Sequence, residues 1–167
     1  STARVIPILL RPTYRKGAPF EKLQFLPKDA KPITDQSWSM DEALYDVVDR
    51  IGTIVRELRI KNMIAEAKQL IAENHPEEAL AICEQTIAIE PEYAPVLREK
   101  GDALFQLGRY EECLETLDQA LQLDSLIADV QFHQIRAKAL ERLRRYDEAH
   151  AAYDLALQID PQNIRLL

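Results

Sequence analysis

The amino-acid sequence predicts a mainly α-helical fold, in which three helix-turn-helix repeats form a short right-handed solenoid behind a partial α/β segment. The first observation is a pattern of small, aromatic and proline residues that returns after 34 and then 36 residues. The second is that residues 1–59 lack this pattern and have their own order of strand-like and helix-like stretches. The third is charge, because residues 1–60 have a net charge of +2 and residues 61–167 one of −9. Such an asymmetry predicts two units.

The front segment has the predicted order β-α-β-α. The apolar run "RVIPILLRP" is continuous, as in a strand that is buried on both faces. A short amphipathic helix follows between Pro19 and Pro27, and "KPITD" is a second short strand. The stretch "SMDEALYDVVDRIGTIVREL" is an amphipathic helix with Ser39 and Glu42 as its capping box. Its apolar stripe consists of Leu44, Val47, Val48, Ile51, Val55 and Leu58.

No strong helix breaker follows this helix before residue 74. We therefore expect the helix to continue into the first repeat helix or to stack directly on it.

Each repeat is predicted to consist of two antiparallel helices that approach each other at small side chains. Tyr110 and Tyr146 lie near the turn and are expected to fill the gap between the helices. Pro91 and Pro161 end the second helices, because proline lacks the N–H group and clashes with the preceding turn. The structural positions of the repeat are Ala67, Ala79, Gly101, Gly108, Tyr110, Ala120, Ala137, Tyr146, Ala149, Ala156, Pro91 and Pro161.

The 36-residue step contains two residues more than the 34-residue step. We expect the extra residues near "DSLIADVQF", either in the turn or at the front of the third repeat's first helix.

This 34-residue pattern resembles the tetratricopeptide repeat, over units 60–93, 94–127 and 130–161. Residues 162–167 are expected to start a further helix that is cut short, and the chain is expected to be a fragment of a longer protein. The resemblance implies that the first helices form a concave face that binds a protein or peptide. The residues implied for this face are Ile64, Lys68, Ile71, Arg98, Asp102, Phe105, Gln106, Gln131, Gln134, Lys138, Glu141 and Arg142.

Four of these residues, Lys68, Arg98, Lys138 and Arg142, are basic in an otherwise acidic region. They favour an acidic or carboxylate-bearing ligand, with Phe105 as an apolar anchor. An ordinary solvated surface is the alternative for each residue. Some tetratricopeptide repeat proteins grip chaperone C-termini with a fixed set of Lys, Asn and Arg residues. The matching positions in this sequence are Ile64, Lys68, Glu99, Gln131 and Ile135, which argues against that ligand.

The front segment resembles the C-terminal part of a bacterial TIR domain, an α/β fold of the flavodoxin-like kind. The resemblance implies a signalling module, and many bacterial members cleave NAD. Their catalytic glutamate would precede Ser1, so no catalytic residue is assigned here. The residues that carry the resemblance are Ile6-Pro7, Arg11-Pro12, Pro19-Phe20, Lys22-Leu23-Gln24, Leu26-Pro27-Lys28, Lys31-Pro32, Trp38 and Asp41–Ala43.

Composition argues against several other classes of protein. A net charge of −7 disfavours nucleic-acid binding, which needs a positive surface. The longest apolar run near the start is too short to span a membrane. Cys83 and Cys113 are expected in the core, with a redox pair as the alternative. The three histidines have no metal-ligand spacing, and no cofactor is expected.

The sequence therefore predicts a cytoplasmic protein-protein interaction module within a bacterial TIR–tetratricopeptide repeat signalling protein. This chain itself is not expected to be an enzyme. An NAD glycohydrolase activity in the parent protein and a self-association scaffold are the two alternatives.

Overall fold

The computed structural model describes residues 39–162, with the side chains of Met40 and Ala43 left aside. These residues form six α-helices and one 3₁₀ turn, and this part of the chain contains no strand. The predicted strands and short helix before residue 39 and the further helix after residue 162 lie outside the described residues. The helices are α1 (Met40–Ala72), α2 (Pro76–Ile89), α3 (Ala94–Gln106), α4 (Tyr110–Leu123), α5 (Val130–Arg142) and α6 (Tyr146–Ile159).

Helix α1 begins with the predicted capping box. The backbone N–H of Ser39 donates to Oε2 of Glu42 at 2.7 Å, and the N–H of Glu42 donates to Oγ of Ser39 at 3.2 Å. The helix then continues without a break to Ala72, as the lack of a helix breaker predicts. The predicted apolar stripe is only partly buried. Val47 is buried, Ile51 is half-buried, and the exposed members are Leu44, Val48, Val55 and Leu58.

Contacts divide the chain into two compact units, Ser1–Arg59 and Ile60–Leu167. In the second unit, the last part of α1 pairs with α2, α3 pairs with α4, and α5 pairs with α6. Side chains of α1 and α2 pack together in two buried clusters, to which α3 contributes Val96 and Ala103. Helix α3 packs against α4, α4 against α5, and α5 against α6. The three pairs are therefore stacked helical hairpins.

The first helix of each pair ends in the same backbone motif. Asn74, Gly108 and Arg144 occupy equivalent positions and have positive φ values of 64°, 75° and 59°. The next residue donates its N–H to the carbonyl five residues earlier, as Arg109 does to Leu104 at 3.0 Å. This is the Schellman arrangement, which favours glycine or asparagine at the left-handed residue. Arginine in the third repeat adopts the same conformation without that advantage.

The second helices end where the sequence predicts. Helix α2 ends at Ile89 and α6 at Ile159, each two residues before a proline. The two extra residues of the longer step lengthen the connection between α4 and α5, which contains the 3₁₀ turn Ser125–Ile127. Asp129 then caps α5 by accepting the N–H of Phe132 at 2.9 Å.

The small residues mark the closest helix contacts. A Cβ atom added to Gly101 would lie 2.7 Å from Cδ2 of Leu117, so a side chain at this position would require Leu117 to move. The equivalent Ala67 and Ala137 are buried as well. Five further small residues are buried within the helices, and they are Ala79, Cys113, Ala120, Ala149 and Ala156.

One of the two turn tyrosines differs from the prediction. Tyr110 is partly buried, and its ring lies 5.7 Å from that of Phe105. Tyr146 exposes 57% of its surface and does not fill a gap. In the third repeat the position of Phe105 is taken by Glu141, which offers no aromatic ring for Tyr146 to pack against.

None of the helices among residues 39–162 is both long enough and apolar enough to cross a lipid bilayer.

Candidate functional site

A cavity of about 510 Å³ lies between the first helices of the three repeats. Five of the residues predicted for the concave face line it: Lys68, Ile71, Asp102, Gln106 and Gln131. Three further residues complete the lining, and they are Ala72, Asn74 and Glu99. The lining is mainly polar, with amide, ammonium and carboxylate groups around a small apolar patch. The cavity can therefore offer hydrogen-bond donors and acceptors to an elongated ligand.

Helix spacing places the polar groups of α3 on one face. Arg98, Asp102 and Gln106 are separated by four residues each, which is close to one helical turn. Gln106 donates from Nε2 to the carbonyl of Ile71 at 3.2 Å, which links the ends of α1 and α3. This bond lies between neighbouring repeats and fixes the amide at the edge of the cavity.

Arg98 links the second repeat to the third. Its Nη2 donates to Oε1 of Gln131 at 2.6 Å and lies 3.4 Å from Oδ2 of Asp129. The side chain exposes only 13% of its surface, and its Nε has no hydrogen-bond partner among the described residues. Arg98 is thus engaged within the chain rather than free to meet a ligand.

Glu99 is the buried carboxylate of the cavity, since it is 5% exposed. Its Oε1 lies 3.5 Å from Nζ of Lys68 and 3.8 Å from Nη1 of Arg98. Burial raises the pKa of the Glu99 carboxyl, whereas Lys68 and Arg98 act to lower it and Asp102 to raise it further. Lys68 keeps half of its side chain exposed and is the cation that reaches the cavity.

Asp102 lies one turn after Glu99 and is half-buried. Burial raises the pKa of its carboxyl, and the positive charges of Arg98 and Lys138 partly offset that effect. Lys138 is exposed on α5 and acts on Asp102 only at longer range. Two carboxylates and one ammonium group therefore line the cavity.

Three apolar residues predicted for the concave face are less available to a ligand than expected. Ile64 is buried in a cluster with Ala67 and Cys83, so the expectation that it is exposed is wrong. Ile71 lines the cavity but is also buried, at 8% exposure. Phe105 packs against Tyr110 inside its own repeat and is not an apolar anchor in the cavity.

The third repeat contributes less to the site than expected. Glu141 accepts a hydrogen bond from the Tyr153 hydroxyl at 3.0 Å, within the α5–α6 hairpin. Gln134 is half-buried and Arg142 is exposed at the end of α5, and neither lines the cavity. The described site is thus formed mainly by the first two repeats, together with Gln131.

Ala72, Asn74 and Glu99 are the cavity residues that the list of concave positions omits. Glu99 precedes Asp102 by three residues and Gln106 by seven, which is the spacing of one helical face. This spacing is visible in the sequence and could have identified Glu99. Asn74 lies in the turn after α1, where no helical spacing applies.

Both cysteines are fully buried, as expected for core residues. Burial raises the pKa of each thiol to about 12, so both stay protonated at neutral pH. We expect the folded chain to react with dithionitrobenzoate far more slowly than the chain unfolded in urea, in which both thiols react, because the thiolate is the nucleophile. Rapid release of thionitrobenzoate from the folded chain would support a redox pair instead.

The histidines are dispersed among the described residues. His133 is buried against the edge of Phe132, with ring centroids 5.6 Å apart, and its Nδ1 has no partner within the described chain. Burial and the nearby Arg136 lower its pKa. His75 lies 3.1 Å from Oε1 of Glu78 on the surface. Between residues 39 and 162, no three His, Cys, Asp or Glu side chains are grouped so as to hold a metal ion.

Comparisons with known proteins identify the repeat. Two family models of the tetratricopeptide repeat match residues 70–140 and 130–163. The first TPR domain of human RPAP3 has a TM-score of 0.57 at 16% identity, over 64% of this chain and 83% of that chain. The Arabidopsis OM64 TPR domain has a TM-score of 0.60 at 21% identity, over 66% and 90% of the two chains.

The second TPR domain of human RPAP3, solved in complex with the HSP70 peptide SGPTIEEVD, has a TM-score of 0.58 at 20% identity, over 66% and 91%. At these identities the likeness concerns the fold, and it agrees with the stacked hairpins and the repeated small residues. The matched region, residues 70–163, therefore belongs to the tetratricopeptide repeat family.

Proposed function

We propose that this chain is a protein-protein interaction module that binds a peptide segment of another protein in the cavity between its first helices. The cavity of about 510 Å³ is the observation that carries the proposal. Asn74, Gln106 and Gln131 bring side-chain amides to it, and an amide both donates and accepts hydrogen bonds. Such groups suit an extended peptide, whose backbone presents N–H and C=O groups along its length.

The fold supports this proposal. Tetratricopeptide repeats are a non-enzymatic fold that typically mediates protein-protein interaction, and stacked repeats present an extended concave surface. Among the similar structures, the second TPR domain of human RPAP3 is in complex with an HSP70 peptide, and the first TPR of Spaghetti (RPAP3) is bound to an HSP90 peptide.

An acidic ligand was expected because of four basic residues. The surroundings of these residues in the structure differ in how well they suit such a ligand. Arg98 is engaged with Gln131 and Asp129, and Lys68 lies against Glu99. Lys138 and Arg142 are exposed on α5 outside the cavity lining. At the cavity, these basic residues are therefore less available to an acidic ligand than the sequence alone indicates.

Blocking the cavity with a large side chain tests the proposal without assuming the charge of the ligand. Ala72 is exposed and lines the cavity, so Ala72→Trp should fill it. Short peptides selected from a random displayed library against the wild-type chain are the probes. We expect Ala72→Trp to weaken their binding at least about tenfold in fluorescence anisotropy, which corresponds to about 1.4 kcal/mol.

The matched control is Ala81→Trp, at an exposed alanine of α2 that does not line the cavity. It should bind the selected peptides as the wild type does. Equal binding by Ala72→Trp and the wild type would place the site elsewhere, and a library that yields no binder would contradict the proposed function. Light scattering on the same samples separates peptide binding from self-association.

The remaining parts of the sequence-based hypothesis stay predictions. A TIR-type parent protein with signalling or NAD-cleaving activity concerns residues outside the described part of the chain. Self-association is favoured by one observation, since Leu155 and Ile159 lie one turn apart on α6 and expose 41% and 51% of their surfaces.

A further inference from the structure

We propose that Glu99 is the specificity-determining residue of the cavity, which favours a peptide that brings a lysine or arginine side chain over one that brings carboxylates. This inference rests on the proposed function, because it assigns a ligand class to the same cavity.

Glu99 lies in the wall of the cavity and is largely shielded from solvent. Its side chain is 6% exposed and lines the cavity, so its charge is poorly screened by solvent. Its two nearest cationic groups are 3.5 Å and 3.8 Å from Oε1. Both distances exceed the roughly 2.7–2.9 Å of a charge-assisted hydrogen bond. The carboxylate is therefore attracted to these cations without a short hydrogen bond to either, and it can accept a closer donor from a ligand.

The cations around the cavity already have partners within the chain. Arg98 is 13% exposed, and its guanidinium already contacts Gln131 in α5 and Asp129, the residue that caps α5. Lys68 is the basic residue of the lining, and Glu99 lies against it. An incoming carboxylate would have to compete with Glu99 for this ammonium group.

Asp102 supplies a second carboxylate to the same wall. It lines the cavity one turn along α3 from Glu99, and no described residue forms a hydrogen bond or salt bridge with it. A ligand carboxylate would therefore face two like charges and only the ammonium group of Lys68, against which Glu99 lies, whereas a ligand cation would face two opposite charges and one like charge. Like charges brought together across an interface disfavour binding, and this is how interfaces reject wrong partners.

A matched pair of peptides tests the inference. The first is SGPTIEEVD, and the second is the same peptide with its acidic side chains replaced by lysine and its C-terminus amidated. We expect the wild-type chain to bind the lysine peptide about tenfold more tightly than the acidic one in fluorescence anisotropy. Glu99→Gln keeps the shape of the side chain but removes its charge, and it should gain about tenfold in affinity for the acidic peptide.

Two further variants provide a second test of the charge preference and a control. Lys68→Gln, at a half-exposed side chain, should strengthen binding of the lysine peptide and needs no change in the core. Glu115→Gln removes a charge at an exposed position of α4 and should leave both affinities unchanged. Melting curves followed by circular dichroism identify any variant that is not folded at the temperature of the assay.

The outcomes separate this inference from the proposed function. A wild-type chain that prefers the acidic peptide, or a folded Glu99→Gln chain that gains no affinity for it, overturns the role of Glu99. If Ala72→Trp blocks peptides that show no charge preference, the cavity binds peptides and only the present inference fails. If the library yields no binder, the proposed function fails, and the assignment of Glu99 fails with it.

Discussion

Replacing Gly101 by leucine is expected to lower the free energy of unfolding by about 3 kcal/mol, the upper end of the usual range for overpacking. A Cβ at this position would lie 2.7 Å from Cδ2 and 3.0 Å from Cγ of Leu117. Leu117 is itself fully buried, and a close-packed core resists its displacement. The leucine would force α3 and α4 apart at the centre of the second repeat. Urea unfolding followed by circular dichroism measures the effect.

Gly52 provides the matched control. It lies in α1 with no atom within 4 Å of an added Cβ, so Gly52→Leu meets no clash. Because leucine is a better helix former than glycine, this change should stabilise the chain by up to about 1 kcal/mol. The double variant Gly101→Leu, Leu117→Ala should regain part of the loss. If Gly101→Leu were as stable as Gly52→Leu, the close approach of the two helices would be contradicted.

Truncating Phe132 to alanine is expected to cost about 3–5 kcal/mol of unfolding free energy. Phe132 is the largest of the fully buried side chains, and it belongs to the cluster that joins the second and third repeats. Its loss removes apolar contacts and leaves a cavity that the rigid hairpins cannot close completely. The same urea experiment measures the change.

Leu126 is the control for Phe132. It lies six residues earlier, in the 3₁₀ turn between the same two repeats, and exposes 90% of its surface. Leu126→Ala should change the unfolding free energy by less than about 0.5 kcal/mol, as for most surface substitutions. Equal losses in the two variants would show that the core between the repeats is not where the structure places it.

Much of the fold was predictable from the sequence because the repeat presents the same constraint several times. Gly101 alone is an ambiguous residue, but Ala67 and Ala137 at the equivalent positions indicate a close helix contact. The prolines indicated where α2 and α6 end, because this is a local backbone effect, whereas the sequence left open whether the two extra residues lengthen the turn or the next helix. Such features depend on the neighbours of a residue along the chain and are therefore visible in its sequence.

The candidate site was harder to predict because it depends on pairs of side chains from different helices. The four basic residues lie on the first helices of the repeats, and their charge suggested an acidic ligand. The sequence does not reveal that Glu99 lies 3.5 Å from Lys68, 31 positions away, or that Arg98 bonds to Gln131. The burial of Ile64 and the exposure of Tyr146 likewise depend on which residues face them across the repeat.

The stacking of each hairpin on its neighbour also bears on how the chain folds. Contacts between adjacent helices join residues that are close along the backbone. Forming these contacts therefore costs little loop-closure entropy. Proteins whose contacts are mainly local have low contact order and fold quickly. Any hairpin can serve as the nucleus from which order spreads to the next, and a defect in one repeat need not delay the others.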